Sequence, residues 1–160
     1  DPRRFGTIEI FANLRDAGPT GVEPLDPGLS PEKLRGLFAG SRQALKIWLL
    51  RQDRLSGIGN IYASEVPFAA GLSPLRPVNE LSREETETLR DALRSVLGEA
   101  VKNRGTTLSD YRDARGARGA HQGHLKVYRR GNETCTRCGG RIERIVLRGR
   151  STFFCPGCQF

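Results

Sequence analysis

Methionine is missing from all 160 residues, position 1 included. Chains ordinarily start with it, so Asp1 reads as an internal cut, and a preceding amino-terminal part is expected. No run of 18 apolar residues occurs, which leaves no candidate for a membrane-spanning helix. No apolar leader opens the chain, and the expected location is the cytoplasm. Aromatic residues make up only 7% of the sequence, so a helical core must come mainly from Leu, Ile and Val. Acidic residues are scarce at one end: residues 101–160 hold 4 Asp/Glu against 13 Lys/Arg, whereas residues 1–100 hold 14 against 13. The net charge of +8 therefore resides in the last 60 residues. Such a segment favours a polyanion, with nucleic acid the default partner; the plain alternative is solubility. An anionic membrane fits poorly, because no basic amphipathic helix accompanies the charge. A chain of this length holds one domain, or a domain with a small module, and it shows no internal repeat.

Cysteine is sparse and confined to the same region. Cys135, Cys138, Cys155 and Cys158 form two C-x-x-C pairs separated by 16 residues. Each pair sits in turn chemistry, Thr134-Cys-Thr-Arg-Cys-Gly-Gly140 and Phe154-Cys-Pro-Gly-Cys-Gln159. Two such turns aim four thiolates at one tetrahedral Zn2+, with metal–sulfur bonds of about 2.3 Å. The competing arrangement is a pair of disulfides. Disulfides belong to oxidising compartments, and a two-residue gap closes a strained disulfide less readily than a metal knuckle. A redox C-x-x-C would need a βαβ setting, which nothing around it supplies. One structural zinc is the expected cofactor. Four thiolates complete its shell, so His121 and His124 read as surface or loop residues.

The remainder is mostly helical in pattern. Thr7–Phe11 alternates like a short strand, and residues 12–29, rich in Gly, Pro and Asp, read as a connecting loop. Ser30-Pro31 supplies an N-cap with proline at the first helical position, ahead of Leu34, Leu37 and Phe38. Gly40 ends that helix. Ser41 is the expected cap of the next, which carries Leu45, Trp48 and Leu49. Leu55–Ile61 breaks the pattern, and Asn60 is the expected N-cap of a third helix. Pro67 lies inside it at a cost of about 3 kcal/mol, so a kink or early end is expected. Ser82 and Glu85 form a capping box before the best helix, with a stripe of Leu89, Leu93, Val96, Leu97, Ala100 and Val101. That helix stops near Arg104-Gly105. Residues 105–124 form a long glycine-bearing stretch of the kind that carries function or disorder. Leu125–Tyr128 and the cysteine region read as short strands.

Three clusters are candidates for chemistry. In Gly57-Ile-Gly-Asn60, Gly57 and Gly59 allow close backbone approach, and free amides at the following helix start suit a phosphate. Asn60 is then either a helix cap or a phosphate donor. Between the knuckles lie Arg141, Arg144, Arg148 and Arg150. Arginine suits bidentate phosphate contact or groove insertion. Arg141 and Arg144 read as solvated strand charges, and Arg150, just before Ser151-Thr-Phe-Phe154, is the functional candidate. Near the start, Arg3 and Arg4 beside Phe5 suit a wedge into a disturbed base stack, with core packing of Phe5 as the alternative.

Taken in order, DPRRFG, LSGIGNIYASE, RGTTLSDY and RSTFFCPGCQ resemble the carboxy-terminal portion of the formamidopyrimidine-DNA glycosylase family, and the resemblance spans essentially the whole chain. The endonuclease VIII branch is a poorer match. The resemblance implies a mainly α fold with a small β part: a helical bundle containing a helix-two-turn-helix motif, followed by a β-hairpin zinc finger. It divides the chain into 1–29 (end of an amino-terminal β domain and linker), 30–124 (the DNA-binding helical domain with a lesion-recognition loop at 105–124) and 125–160 (the finger). It implies double-stranded DNA with an oxidised base or abasic site as partner, with the lesion base flipped out, and a bacterial, nucleoid-associated monomer. By motif match Asn60 and Arg150 bind phosphate near the lesion, and Arg3 and Phe5 match the void-filling and opposite-base residues. Leu108, Ser109, Asp110 and Tyr111 belong to the loop that meets the everted base. The family's nucleophile is an amino-terminal proline followed by glutamate. Here Pro2 follows Asp1 and precedes Arg3, so no catalytic residue is expected in this chain, and the amino-terminal catalytic domain is an expected partner. Departures from the family pattern are Arg104 and Arg129 at usual glycines, Pro67 within a helix, and Ala120-His121 where aromatics are common. A non-enzymatic zinc-ribbon nucleic-acid module and a purely structural zinc module are the alternatives.

Overall fold

Ser30 opens the helical part. Its hydroxyl accepts the Lys33 amide at 3.2 Å, Pro31 sits where no N–H is required, and α1 runs over Pro31–Phe38. This is a computed structural model, and it describes residues 21–106 and 119–160. The strand expected at Thr7–Phe11 and the candidates Arg3, Phe5, Leu108, Ser109, Asp110 and Tyr111 lie outside the described residues.

The second helix departs from expectation at its start. α2 covers only Leu45–Leu49, with Ala44 rather than Ser41 as its cap residue. The segment after the third helix explains why. Leu45 and Lys46 donate their amides to the carbonyls of Arg76 and Pro74 at 2.8 and 3.0 Å, and Val78 donates to that of Gln43 at 3.0 Å. These bonds hold residues 43 and 44 extended, and Ser41 serves only a local turn with the Gln43 amide. Leu45, Trp48 and Leu49 are buried as expected, with the Trp48 ring edge-on to Phe38 at 4.6 Å.

α3 runs over Tyr62–Ala70 and continues through Pro67. The expected early stop is absent because Ala63–Phe68 are all buried, and that burial outweighs the lost backbone bond. Gly71, at φ 71°, ends it, with Gly71 and Leu72 donating back to Phe68 and Pro67. Asn60 does not cap this helix; Ile61 holds that position without a side-chain bond. α4 spans Arg83–Lys102 behind the expected capping box. Leu89, Leu93 and Ala100 are buried and Val96 and Leu97 pack on the core, but Val101 is 67% exposed and leaves the stripe. No described helix is long and apolar enough to cross a membrane.

The finger follows. β1 (Glu143–Leu147) and β2 (Arg150–Phe154) pair antiparallel, with Leu147 opposite Arg150 and Arg148-Gly149 as the turn. A small core of Phe68, Val127, Ile142 and Phe153 joins this hairpin to α3. Leu125–Tyr128 is not a strand, because the amides of Lys126, Val127 and Tyr128 all turn to the Glu65 carboxylate. His121 is buried rather than superficial, stacked on His124 at 5.4 Å with Nδ1 within 3.2 Å of Asn103 Nδ2. The two arginines at usual glycine positions keep left-handed backbone, Arg104 at φ 57° and Arg129 at φ 63°.

Candidate nucleic-acid interface and metal centre

The four cysteines converge. Their sulfur atoms all lie within 4.8 Å of one another, with Cys135–Cys158 at 3.6 Å, Cys138–Cys155 at 3.5 Å and Cys138–Cys158 at 3.7 Å. A tetrahedron of sulfurs around zinc, with bonds of about 2.3 Å, has edges of about 3.8 Å. The cluster therefore fits one structural zinc, held by Cys135, Cys138, Cys155 and Cys158. Burial pushes the Cys155 and Cys158 thiols up. Burial also opposes ionisation of Cys135, but the amides of Arg137 and Cys138 outweigh it and bring that thiol down to about 6. A dication in the centre supplies the charge that four crowded sulfurs need to ionise together. The knuckle turns are tight: a Cβ at Gly140 or Gly157 would stand 3.3 Å from Cys138 Sγ.

The cysteine cluster sits at the base of a hairpin whose tip carries Arg150. That residue is exposed, as are Arg141, Arg144 and Arg148. Arg144 donates to Ser151 Oγ at 3.0 Å, so it braces the strand beside Arg150. Asn60 reaches the same place from the helical domain. Its Nδ2 donates to the Ser151 carbonyl at 3.2 Å and lies 3.4 Å from the Tyr128 hydroxyl. The sequence pattern suggested a cap; the fold turns the side chain to the finger instead. Asn60 is thus fixed beside the residue that follows Arg150, although the two stand 90 positions apart in the chain.

The turn before α3 is less open than expected in one respect. Gly57, at φ 78°, gives its amide to Gln52 Oε1 at 2.8 Å. Among the described residues the N–H groups of Gly59, Asn60 and Ile61 have no acceptor. A Cβ at Gly57 or Gly59 would meet nothing within 4 Å, so this backbone faces open space. Nearby, Tyr62 shares a hydrogen bond with Thr106 at 3.0 Å, at the entry to the 105–124 loop. The loop's ends are pinched together, with Ala120 and His121 donating to the carbonyls of Asn103 and Gly105.

Two residues at this junction were not among the sequence candidates. Lys46, fully buried, donates to Ser64 Oγ at 2.8 Å and to the Ser151 carbonyl at 2.9 Å. Burial brings its ammonium down to about 8, and the neighbouring Arg150 charge adds to the effect. Glu65, 4% exposed, accepts three amides from the finger stem. A signal was present in both cases: each is the only charge in its helix, LKIWL and YASEVPFAA, and a lone charge on a buried helix needs a partner.

Known proteins are similar to this chain in sequence and fold. A family described as "Formamidopyrimidine-DNA glycosylase H2TH domain" matches residues 20–112, and "Zinc finger found in FPG and IleRS" matches residues 132–159. A formamidopyrimidine-DNA glycosylase of Desulfitobacterium hafniense is 45% identical over 99% of this chain and 60% of its own length. One from Thermomicrobium roseum is 47% identical over 99% of this chain and 56% of its own. The chain thus spans little more than half the length of these relatives. Among solved structures, the MutM (Fpg) protein of Thermus thermophilus superposes with a TM-score of 0.82 at 45% identity, covering 87% of this chain and 53% of that one. Lactococcus lactis Fpg in complex with abasic-site DNA gives 0.80 at 35% identity, over 87% and 51%.

Proposed function

The chain belongs to the formamidopyrimidine-DNA glycosylase family, and from that premise we propose that these residues are the part of a base-excision-repair enzyme that grips damaged duplex DNA. The observation that carries the reading is the junction at Ser151, where the Asn60 amide is tied to the residue following the exposed Arg150. Two phosphate-binding side chains from separate modules are thereby held in one register, and the zinc cluster keeps the hairpin rigid enough to preserve it. Asn60 and Arg150 clasp the backbone flanking the lesion, and the open backbone at Gly57 and Gly59 lets a strand come close. Arg3 and Phe5 fill the space left by the extruded base and meet the base opposite it, while Leu108, Ser109, Asp110 and Tyr111 belong to the loop that meets the everted base. The functional division is 1–29, 30–124 and 125–160.

In this proposal the whole protein excises 8-oxoguanine and formamidopyrimidines and cuts the strand by β,δ-elimination, as a monomer on the bacterial nucleoid. The nucleophilic proline and its glutamate belong to an amino-terminal domain that this chain does not include, so these 160 residues bind without cutting.

The test is binding of the chain to a duplex with a tetrahydrofuran abasic site and to the intact duplex, over a salt series. Preference for the abasic duplex with steep loss in salt is expected. Equal affinity for the two would favour a generic zinc-ribbon module. Borohydride with abasic DNA is expected to trap no adduct; a covalent adduct would refute the inactivity of the chain.

A further inference from the structure

Lys46 has no side-chain carboxylate partner among the described residues. Its ammonium is fully buried, and two of its three N–H bonds find acceptors there, a hydroxyl and a carbonyl. A buried cation without an anion is costly and is normally paired. Among the described residues the surrounding elements supply no counter-charge. α2 carries no acid, and β2 contributes Arg150, which repels Lys46. From α3 come Ser64 and Glu65, but both Glu65 oxygens are occupied by the amides of Lys126, Val127 and Tyr128. In the segment behind α2, Arg76 is bound to Glu85. Asn60, bound to the same Ser151 carbonyl and to the Tyr128 hydroxyl, brings no charge.

Two cations and an amide therefore converge on one strand, joined through the Ser151 carbonyl that Lys46 and Asn60 share. We infer that Lys46 is a buried positioning residue of the phosphate clamp, and that its missing counter-ion is the DNA phosphate held by Asn60 and Arg150. The inference rests on the clamp described above. Without the anion, Lys46 and Arg150 oppose each other; with it, both are satisfied, and the Ser151 carbonyl fixes their relative position. Gripping DNA and keeping a proton on Lys46 are then linked. The free chain holds that ammonium at about 8, and the bound phosphate raises it, so binding above that pH takes up a proton.

The experiment measures affinity of the chain for a tetrahydrofuran abasic duplex from pH 7 to pH 9, with calorimetry at pH 8.5 in two buffers of different ionisation enthalpy. For one linked proton, affinity is expected to fall about tenfold across this range, with about three-quarters of a proton taken up at pH 8.5. The amino terminus titrates in the same range, so Lys46→Met is the control: it is expected to bind weakly at pH 7 and to lose the pH dependence, with zinc content and circular dichroism unchanged. No proton uptake by the unsubstituted chain would overturn the inference without reference to any variant. So would a Lys46→Met protein that keeps both the affinity at pH 7 and the uptake. Asn60→Ala and Arg150→Ala keep the two readings apart. Undiminished binding by both would overturn the clamp itself, whereas weakened binding with unchanged pH behaviour in Lys46→Met would overturn only the role of Lys46.

Discussion

Glu65 accepts the backbone N–H of Tyr128 across 2.7 Å, and the same carboxylate takes the amides of Val127 and Lys126 at 3.0 and 2.8 Å. A helix of the helical domain thus holds the stem of the finger by three charge-assisted bonds. Removing the carboxylate strands three N–H groups, one of them in a fully buried residue. Glu65→Ala is expected to cost about 3 kcal/mol, the scale of breaking a buried charged network. Amide hydrogen exchange at residues 126–128 should accelerate more than at Leu89 or Leu93 of α4. Unchanged protection there would show that the stem is held by packing alone.

How far this junction could be read in advance follows from range. The capping box of Ser82 and Glu85 lies within four consecutive residues, and so does each cysteine knuckle; both were legible because their chemistry is local. The helical stripe through Leu89 and Leu93 was legible for the same reason, whereas its last member, Val101, is exposed because α4 has by then run past the core. Ser41 and Asn60 are good caps by type, yet α2 starts beyond Ser41 because residues 43–46 bond to the Pro74–Val78 segment, 28 to 35 positions away, and Asn60 is turned to Ser151, 91 positions away. Pro67 is tolerated because two modules bury the helix that contains it. Local propensity loses to tertiary contacts at the points where modules meet, and those are also where the candidate site lies.

Zinc removal separates the two modules. The finger's own core is small, and two of its buried members, Cys135 and Cys155, are metal ligands. Cys155→Ser, or chelation of the unsubstituted protein, is expected to unfold residues 132–159 while α1 to α4 keep their helical signal. Circular dichroism with a parallel zinc assay reads both. Stoichiometric zinc and a folded finger in Cys155→Ser would contradict the four-thiolate site.

Arg129 carries backbone strain that the sequence makes visible only by comparison with the family pattern. At φ 63° a non-glycine residue costs about 1 kcal/mol. Its side chain is exposed, so no packing offsets the cost. Arg129→Gly is expected to raise the melting temperature by about 2–4 °C, the shift that 1 kcal/mol gives in a chain of this size. A fall in melting temperature would mean that the arginine makes a stabilising contact absent from this structure.

Arg150 stands at the hairpin tip, its side chain exposed and without a hydrogen bond to the described residues, so its removal is expected to leave stability untouched. Arg150→Ala should weaken abasic-duplex binding by about 1–3 kcal/mol, the scale of a charged hydrogen bond. The slope of log affinity against log salt should fall by about 1. A variant that lost affinity with no change in slope would place the effect in hairpin shape rather than in a phosphate contact.

Lys46 has the opposite balance. Its proton affinity in the folded chain is lowered from an ordinary 10.5 to about 8. Between those values the unfolded chain holds a proton that the folded chain has released, so stability rises with pH across the window, and below it the buried charge is a standing cost. Replacing a buried ion pair by apolar residues of similar volume is often neutral or stabilising by about 1–4 kcal/mol, and a buried ammonium without an anion carries the desolvation cost with no ion-pair attraction to offset it. Lys46→Met is therefore expected to stabilise the free chain by about 1–3 kcal/mol at pH 7, with the gain shrinking as pH approaches 10. The Ser151 carbonyl keeps its bond from Asn60, and the Ser64 hydroxyl lies 3.4 Å from the Asn60 carbonyl, so neither is stranded. Urea unfolding at pH 7 and pH 9.5 measures both points. A more stable protein that binds DNA less well would show that the charge is retained for its part in the grip, and a destabilised one at pH 7 would show that it serves the fold.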